Sequence, residues 1–198
     1  MNQFKGSIAI LGSGNIGVSL AKGLVKASYA EPGQITLTRR NVSNLTAFSD
    51  QGFMVSGENA AVVAAADIIV LAVLPQQLNQ LLEQIRPAVD PKKQVFISVA
   101  SGVSCADIRN KLGDSVQVVR AMPNTAIAIG QSMTCVATDN ASKENVDEVV
   151  RMFETVGAVV KINEDLMTSA TALCACGIAF LLRAIRSVSQ GGVEIGFH

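Results

Sequence analysis

The stretch Ile8-Ala9-Ile10-Leu11-Gly12-Ser13-Gly14-Asn15-Ile16-Gly17 sets a short apolar strand directly against Gly-x-Gly-x-x-Gly. Val18-Ser19-Leu20-Ala21-Lys22-Gly23-Leu24 follows with helical spacing. Strand, glycine turn and helix in that order make a dinucleotide-binding turn. Gly12 permits the tight turn, Gly14 lets a pyrophosphate approach the backbone, and Gly17 lets helix pack closely on strand. The free N–H groups at the helix start then face the phosphates, with Ser13, Asn15 and Ile16 among the expected cofactor-binding residues. The plainer alternative is a glycine-rich turn in some other α/β domain.

Outward from this turn, apolar runs alternate with helical periodicity, the sign of βαβ units and a parallel sheet. Strands are expected near 7–12, 34–38, 67–73, 94–99, 116–120, 133–138 and 157–161. Helices are expected near 15–28, 42–50, 59–65, 75–86, 104–112 and 142–155. The fold class is therefore α/β, a Rossmann-type doubly wound and mostly parallel sheet. After Lys161 the pattern changes. Leu166, Ala170, Leu173, Gly177, Phe180, Leu181, Ala184 and Val188 recur at helical steps, and Gly191-Gly192 is expected to end that helix. We divide the chain into a nucleotide-binding domain, 1–162, and the beginning of a helical domain, 163–198. The latter is expected to be cut short or to be completed by another subunit.

Bulk properties exclude several classes. The 198 residues carry 16 Lys and Arg against 16 Asp and Glu, with no basic stripe, so nucleic acid is not expected as a partner. The only His is terminal, and Cys105, Cys135, Cys174 and Cys176 form no Cys-x-x-Cys, so no metal site is expected. Small buried thiols suit a reducing cytoplasm. The apolar stretch from Val62 to Leu74 contains Asp67 and is too short for a bilayer, and no membrane partner is expected.

The second strand ends in Arg39-Arg40, where an NAD site usually carries an acid for the ribose hydroxyls. Guanidinium groups match a dianionic 2′-phosphate in charge and fork geometry, which favours NADP, with NAD possible. Two surface arginines on a solvated loop are the alternative. Ala72, Val73, Leu74 and Pro75 leave a strand at the sheet's carboxyl edge, where their backbone can line a cofactor.

Several segments, in order along the whole chain, resemble the pyrroline-5-carboxylate reductase family. They are Val119-Arg120-Ala121-Met122-Pro123-Asn124-Thr125, Glu58-Asn59-Ala60, Ser98-Val99-Ala100-Ser101-Gly102-Val103, and the helix from Asp165 with Thr171-Ala172-Leu173 and Gly191-Gly192-Val193-Glu194-Ile195-Gly196. The resemblance implies NAD(P)H-dependent reduction of a cyclic imine, 1-pyrroline-5-carboxylate, to L-proline, by hydride transfer from the nicotinamide. It implies Asn59 at the adenosine ribose, and Ala100, Met122, Asn124 and Thr125 by the nicotinamide. It sets the substrate at Cys174, Ala175, Cys176 and Gly177, with Glu164 nearby, and implies a homodimer or higher homo-oligomer. Three departures stand out: Leu74 replaces a Lys, Ala126 replaces a Pro, and Cys174-Ala175-Cys176-Gly177 stands where the family has Ser-Gly-Ser-Gly. Two hydroxyl donors thus become weak thiol donors. The family's Thr proton donor would lie past the final residue, so no catalytic residue is assigned. Two other functions stay open: an NADP-binding module without turnover, and a related β-hydroxyacid or ketone reductase. The latter would call for a Lys or His donor, and none stands between Glu164 and Phe197.

Overall fold

A computed structural model of the chain describes residues 4–197. The first half of the fold runs β1 (Ile8–Leu11), α1 (Asn15–Lys26), β2 (Ile35–Thr38), α2 (Thr46–Ser49), β3 (Met54–Ser56), α3 (Asn59–Ala65), β4 (Ile68–Leu71) and α4 (Pro75–Ile85). The second half runs β5 (Val95–Ser98), α5 (Cys105–Leu112), β6 (Gln117–Met122), β7 (Ser132–Ala137), α6 (Lys143–Glu154), β8 (Gly157–Lys161), α7 (Met167–Ala170) and α8 (Gly177–Glu194). The strands form one sheet in the order β3-β2-β1-β4-β5-β6-β7-β8. Every pairing is parallel except β6 with β7.

Alternation along β1 shows why the sheet must be covered on both sides. Ile8 and Ile10 pack with Leu20, Leu24, Leu37 and Phe153 on one face. Ala9 and Leu11 pack with Leu78, Leu82, Phe96 and Ile108 on the other. Successive side chains of a strand point to opposite faces, so an unbroken apolar run needs a helical layer on each.

All seven expected strands are present. The additional strand, β3, is a three-residue edge with Met54 exposed, too short to show period-two alternation. The helix expected over 42–50 is a 3-10 turn, Val42–Leu45, followed by the short α2. Asn41 accepts from Ser43 N–H and tightens that first turn.

The largest correction lies at the C-terminal end. The helix does not end at Gly191-Gly192 but runs to Glu194, and it turns off at Gly196, whose φ is +99°. Glycine weakens a helix by about 1 kcal/mol without stopping it. The left-handed residue that ends this helix comes five residues later than Gly191. Before α8, Thr171–Cys176 forms a π-helical turn. Met167 and this turn dock on the sheet through Met122, Cys135 and Ala137. Beyond it, α8 buries no residue. The continuous helical segment Glu164–Glu194 is, among the described residues, the one helix long and apolar enough to cross a membrane by length and composition.

Candidate functional site: a crevice at the carboxyl edge of the sheet

Strand order reverses at β1, which lies between β2 and β4, so the loops after β1 and β4 part and leave a crevice. Gly12 has φ +96°, and a Cβ there would come within 2.6 Å of the Ala72 carbonyl. A Cβ at Gly17 would come equally close, 2.6 Å, to the Gly12 carbonyl. Only glycine lets the turn, helix and strand close together in this way. A Cβ at Gly14 would meet nothing within 4 Å, so the backbone there is open to an incoming group. No side chain caps α1, which begins at Asn15 and Ile16, and no acidic residue sits in its first turn. The helix thus presents uncapped N–H groups and the positive end of its dipole to the opening.

Thr38 organises the adjoining wall, and it was not singled out from sequence. Its carbonyl accepts from both the N–H and the hydroxyl of Ser13, each at 3.0 Å. Its hydroxyl donates to Asn59 Oδ1 at 2.6 Å, and Asn59 Nδ2 donates to Gln84 at 3.0 Å. The glycine turn, the end of β2 and Asn59 are therefore one hydrogen-bonded unit. The available signal was a Thr at a strand end beside Arg39. Arg39 and Arg40 follow it, exposed, and among the described residues neither forms an ion pair.

The other wall is built from the ends of β4, β5 and β6. Ala72 N–H donates to Leu11 O at 2.8 Å, and Val99 N–H to Leu71 O at 3.2 Å. Val73 and Pro75 are half-buried, whereas Leu74 is exposed. Ala100 and Met122 are buried, and the Ser101 hydroxyl reaches the Met122 sulfur at 3.9 Å. Asn124 is buried and Thr125 exposed, at the start of the turn after β6.

Glu164 departs from the grouping expected for it. Its carboxylate turns to the start of α5 and to β6. It accepts from Cys105 N–H at 2.7 Å and from Arg120 at 3.3 Å, rather than facing Cys174–Gly177. A buried guanidinium demands such a partner. Arg120 Nε, also buried, has no hydrogen-bond partner among the described residues. Cys105, Asp139 and Glu164 bring one ligand atom each within 4.8 Å of one another, a spacing that could hold a metal ion. Each is already engaged, however: Asp139 with Arg109, Glu164 with Arg120, and the Cys105 thiol with Val118 O. Burial and the neighbouring Glu164 push the Cys105 thiol up to about 12, so it stays protonated at neutral pH.

Cys174, Ala175 and Gly177 are half-buried and Cys176 is exposed. The Cys174 carbonyl accepts from Asn124 Nδ2 at 3.0 Å, and its thiol faces that of Cys135.

Comparison with known proteins agrees with this geometry. The family described as NADP oxidoreductase, coenzyme F420-dependent, matches residues 7–102. Pyrroline-5-carboxylate reductase 1 of Dictyostelium discoideum is 42% identical over 100% of this chain, which spans 38% of that protein. Pyrroline-5-carboxylate reductase 2 of the same organism is 41% identical over 97% of this chain, which spans 69% of it. The solved pyrroline-5-carboxylate reductase of Coxiella burnetii superposes with a TM-score of 0.92 at 26% identity, over 98% of this chain and 73% of that one. The Plasmodium falciparum pyrroline carboxylate reductase, solved with NADP bound, gives a TM-score of 0.89 at 24% identity, over 100% and 72%. A relative 41% identical over 97% of this chain, with 69% of that relative covered, makes the chain a member of the pyrroline-5-carboxylate reductase family.

Proposed function

We propose that this chain binds NADPH in the crevice beside β1 and reduces 1-pyrroline-5-carboxylate to L-proline. The observation that carries the cofactor half is the open, uncapped turn at Gly14, with two exposed arginines at the end of β2 that form no ion pair among the described residues. A pyrophosphate fits the first and a 2′-phosphate the second. Family membership carries the substrate half, since the D. discoideum relatives bear that name.

In this reading Gly12, Ser13, Gly14, Asn15, Ile16 and Gly17 cradle the pyrophosphate. Arg39 and Arg40 hold the 2′-phosphate, and Asn59, fixed by Thr38, meets the adenosine ribose. Ala72, Val73, Leu74 and Pro75 line one wall, and Ala100, Met122 and Thr125 bound the nicotinamide. When bound, NADPH supplies the hydride. The protein's part is to orient the imine and exclude water. Cys174, Ala175, Cys176 and Gly177 offer small side chains and backbone that leave room for a carboxylate. Glu164 acts at one remove, tying the start of α5 to β6. Residues 1–162 act as the nucleotide-binding domain and residues from 163 onward as the substrate and assembly domain.

The bare face of α8 is best accounted for by a second copy of the chain. Phe180, Leu181, Ile185 and Val188 are all exposed. Arg183 and Arg186 sit mid-helix, where each charge costs about 2.5–3.5 kcal/mol in hydrocarbon, which favours a protein partner over lipid. Its free cysteines suit the cytoplasm.

The test is NADPH oxidation by the purified chain with and without 1-pyrroline-5-carboxylate, with proline measured as product. Imine-dependent oxidation that yields proline is expected. NADPH binding with no imine-dependent oxidation would refute the substrate half, and no NADPH binding would refute both.

A further inference from the structure

Asn124 occupies a position with more polar partners than a cofactor contact needs. It is 6% exposed at the end of β6. Its N–H donates to Ser132 Oγ on β7 at 3.1 Å, and its Oδ1 accepts from Ala126 N–H at 3.0 Å. These two bonds anchor the residue on the sheet and close the turn Thr125–Ile129. The same amide reaches a distant segment: Nδ2 donates to the Cys174 carbonyl at 3.0 Å, fifty residues along the chain.

That carbonyl belongs to the π-helical turn Thr171–Cys176. A π turn widens the helix and departs from the regular ladder, so it persists where something outside the helix supports it. Here the support comes from the nucleotide-binding sheet: the Asn124 amide, the Cys135 thiol facing Cys174, and Met122, Cys135 and Ala137 packed under Met167.

We propose that Asn124 is a positioning residue for substrate: its amide holds the π turn at Cys174, and so fixes the Cys174–Gly177 backbone relative to the end of β6. This rests on the proposed function, in which that backbone receives the substrate carboxylate. It differs from a role as a nicotinamide ligand in what the amide holds: the Cys174 carbonyl on one side and the turn at Ala126 on the other.

The experiment compares Asn124→Asp and Asn124→Ser with the parent chain. The Asp variant keeps an oxygen to close the turn at Ala126 but loses the donor to Cys174. The Ser variant can still cap the turn but is too short to reach Cys174, and it introduces no charge. Three quantities are measured: NADPH affinity by fluorescence, KM for 1-pyrroline-5-carboxylate (or L-proline affinity by calorimetry), and amide hydrogen exchange across residues 171–178. Loss of one buried hydrogen bond predicts imine or proline affinity weaker by about tenfold, with NADPH affinity held within about twofold. Exchange at 174–178 should quicken in both variants. The proposal is overturned if NADPH weakens as much as the imine, which would make Asn124 a cofactor ligand, or if exchange across the turn is unchanged. Should the parent chain neither reduce the imine nor bind proline, the proposed function fails. Exchange then decides the strut by itself, since it needs no ligand.

Discussion

Helices α1 and α8 carry the same kind of apolar stripe and meet opposite fates. On α1, Gly17, Leu20, Ala21 and Leu24 are buried against the sheet. On α8 no residue is buried, and Phe180, Leu181, Leu182 and Val188 face outward. A stripe records that a helix needs a partner surface, not where the surface is. For α1 the partner lies within the chain: β1 and β2 beneath it and the turn Thr125–Ile129 beside it. For α8 the isolated chain supplies none, and burying each large apolar side chain would recover about 1.5–3 kcal/mol. That gain is available to a second copy.

The contrast breaks most readily with leucine truncations. Leu20→Ala should destabilise the chain by about 2–5 kcal/mol, since it opens a cavity in a fully buried site. Leu182→Ala, at an exposed site, should move stability by no more than about 0.5 kcal/mol in dilute chain. Denaturant titration at two protein concentrations checks both. If Leu182→Ala costs as much as Leu20→Ala and the cost grows with concentration, α8 is covered by self-association. If it costs as much at every dilution, α8 is packed within a single chain and is not bare.

Glycines sharpen the same comparison with the next largest effect. Gly12→Ala sets a methyl 2.6 Å from the Ala72 carbonyl in a left-handed backbone, and should cost about 1–3 kcal/mol and abolish NADPH binding. Gly191→Ala adds a methyl to open space within a helix, and should stabilise by about 0.5–1 kcal/mol. Thermal melts and NADPH titration read the pair. A neutral Gly12→Ala would remove the argument for the closed turn.

These residues also show what could be read beforehand. The fold was legible because β1, β4 and β5 are buried on both faces and therefore written as unbroken apolar runs next to their turns. The glycine motif was legible because each glycine answers a local steric demand. What stayed hidden was set by distance. Thr38 acts through Ser13 and Asn59, and Asn124 through Cys174, fifty residues away. Glu164 reads as a helix-start acid until the fold brings Arg120 and Cys105 to it. Helix α8 runs past Gly191-Gly192 because glycine lowers helix propensity without removing the backbone hydrogen bonds of the helix.

Arginine charge gives a third, smaller contrast. Arg39→Glu beside the crevice should weaken NADPH by at least about tenfold, roughly 1.4 kcal/mol, while NADH changes little. Arg183→Glu on α8 should leave both cofactors unaffected. Fluorescence titration with the two nucleotides decides it, and equal losses for both with Arg39→Glu would remove the 2′-phosphate assignment.

The least perturbing probe is thiol chemistry, because the four cysteines divide between the two regions. Burial pushes Cys135 up to about 11, with the facing Cys174 adding to it, and burial with Glu164 pushes Cys105 to about 12. Only the thiolate attacks an alkylating agent, so neither should react appreciably at pH 8 in the folded chain. Cys176 is exposed and should be labelled first. Raising the pH towards 11 should recruit Cys135 before Cys105, since the group with the lower value ionises earlier. Mass spectrometry of iodoacetamide-treated chain, sampled over time, gives the order directly. Early labelling of Cys105 would mean that the α5 end of the nucleotide-binding sheet opens readily. Labelling of Cys176 that slows as protein concentration rises would place the covering surface of the second region close to the π turn, where the Asn124 amide ends.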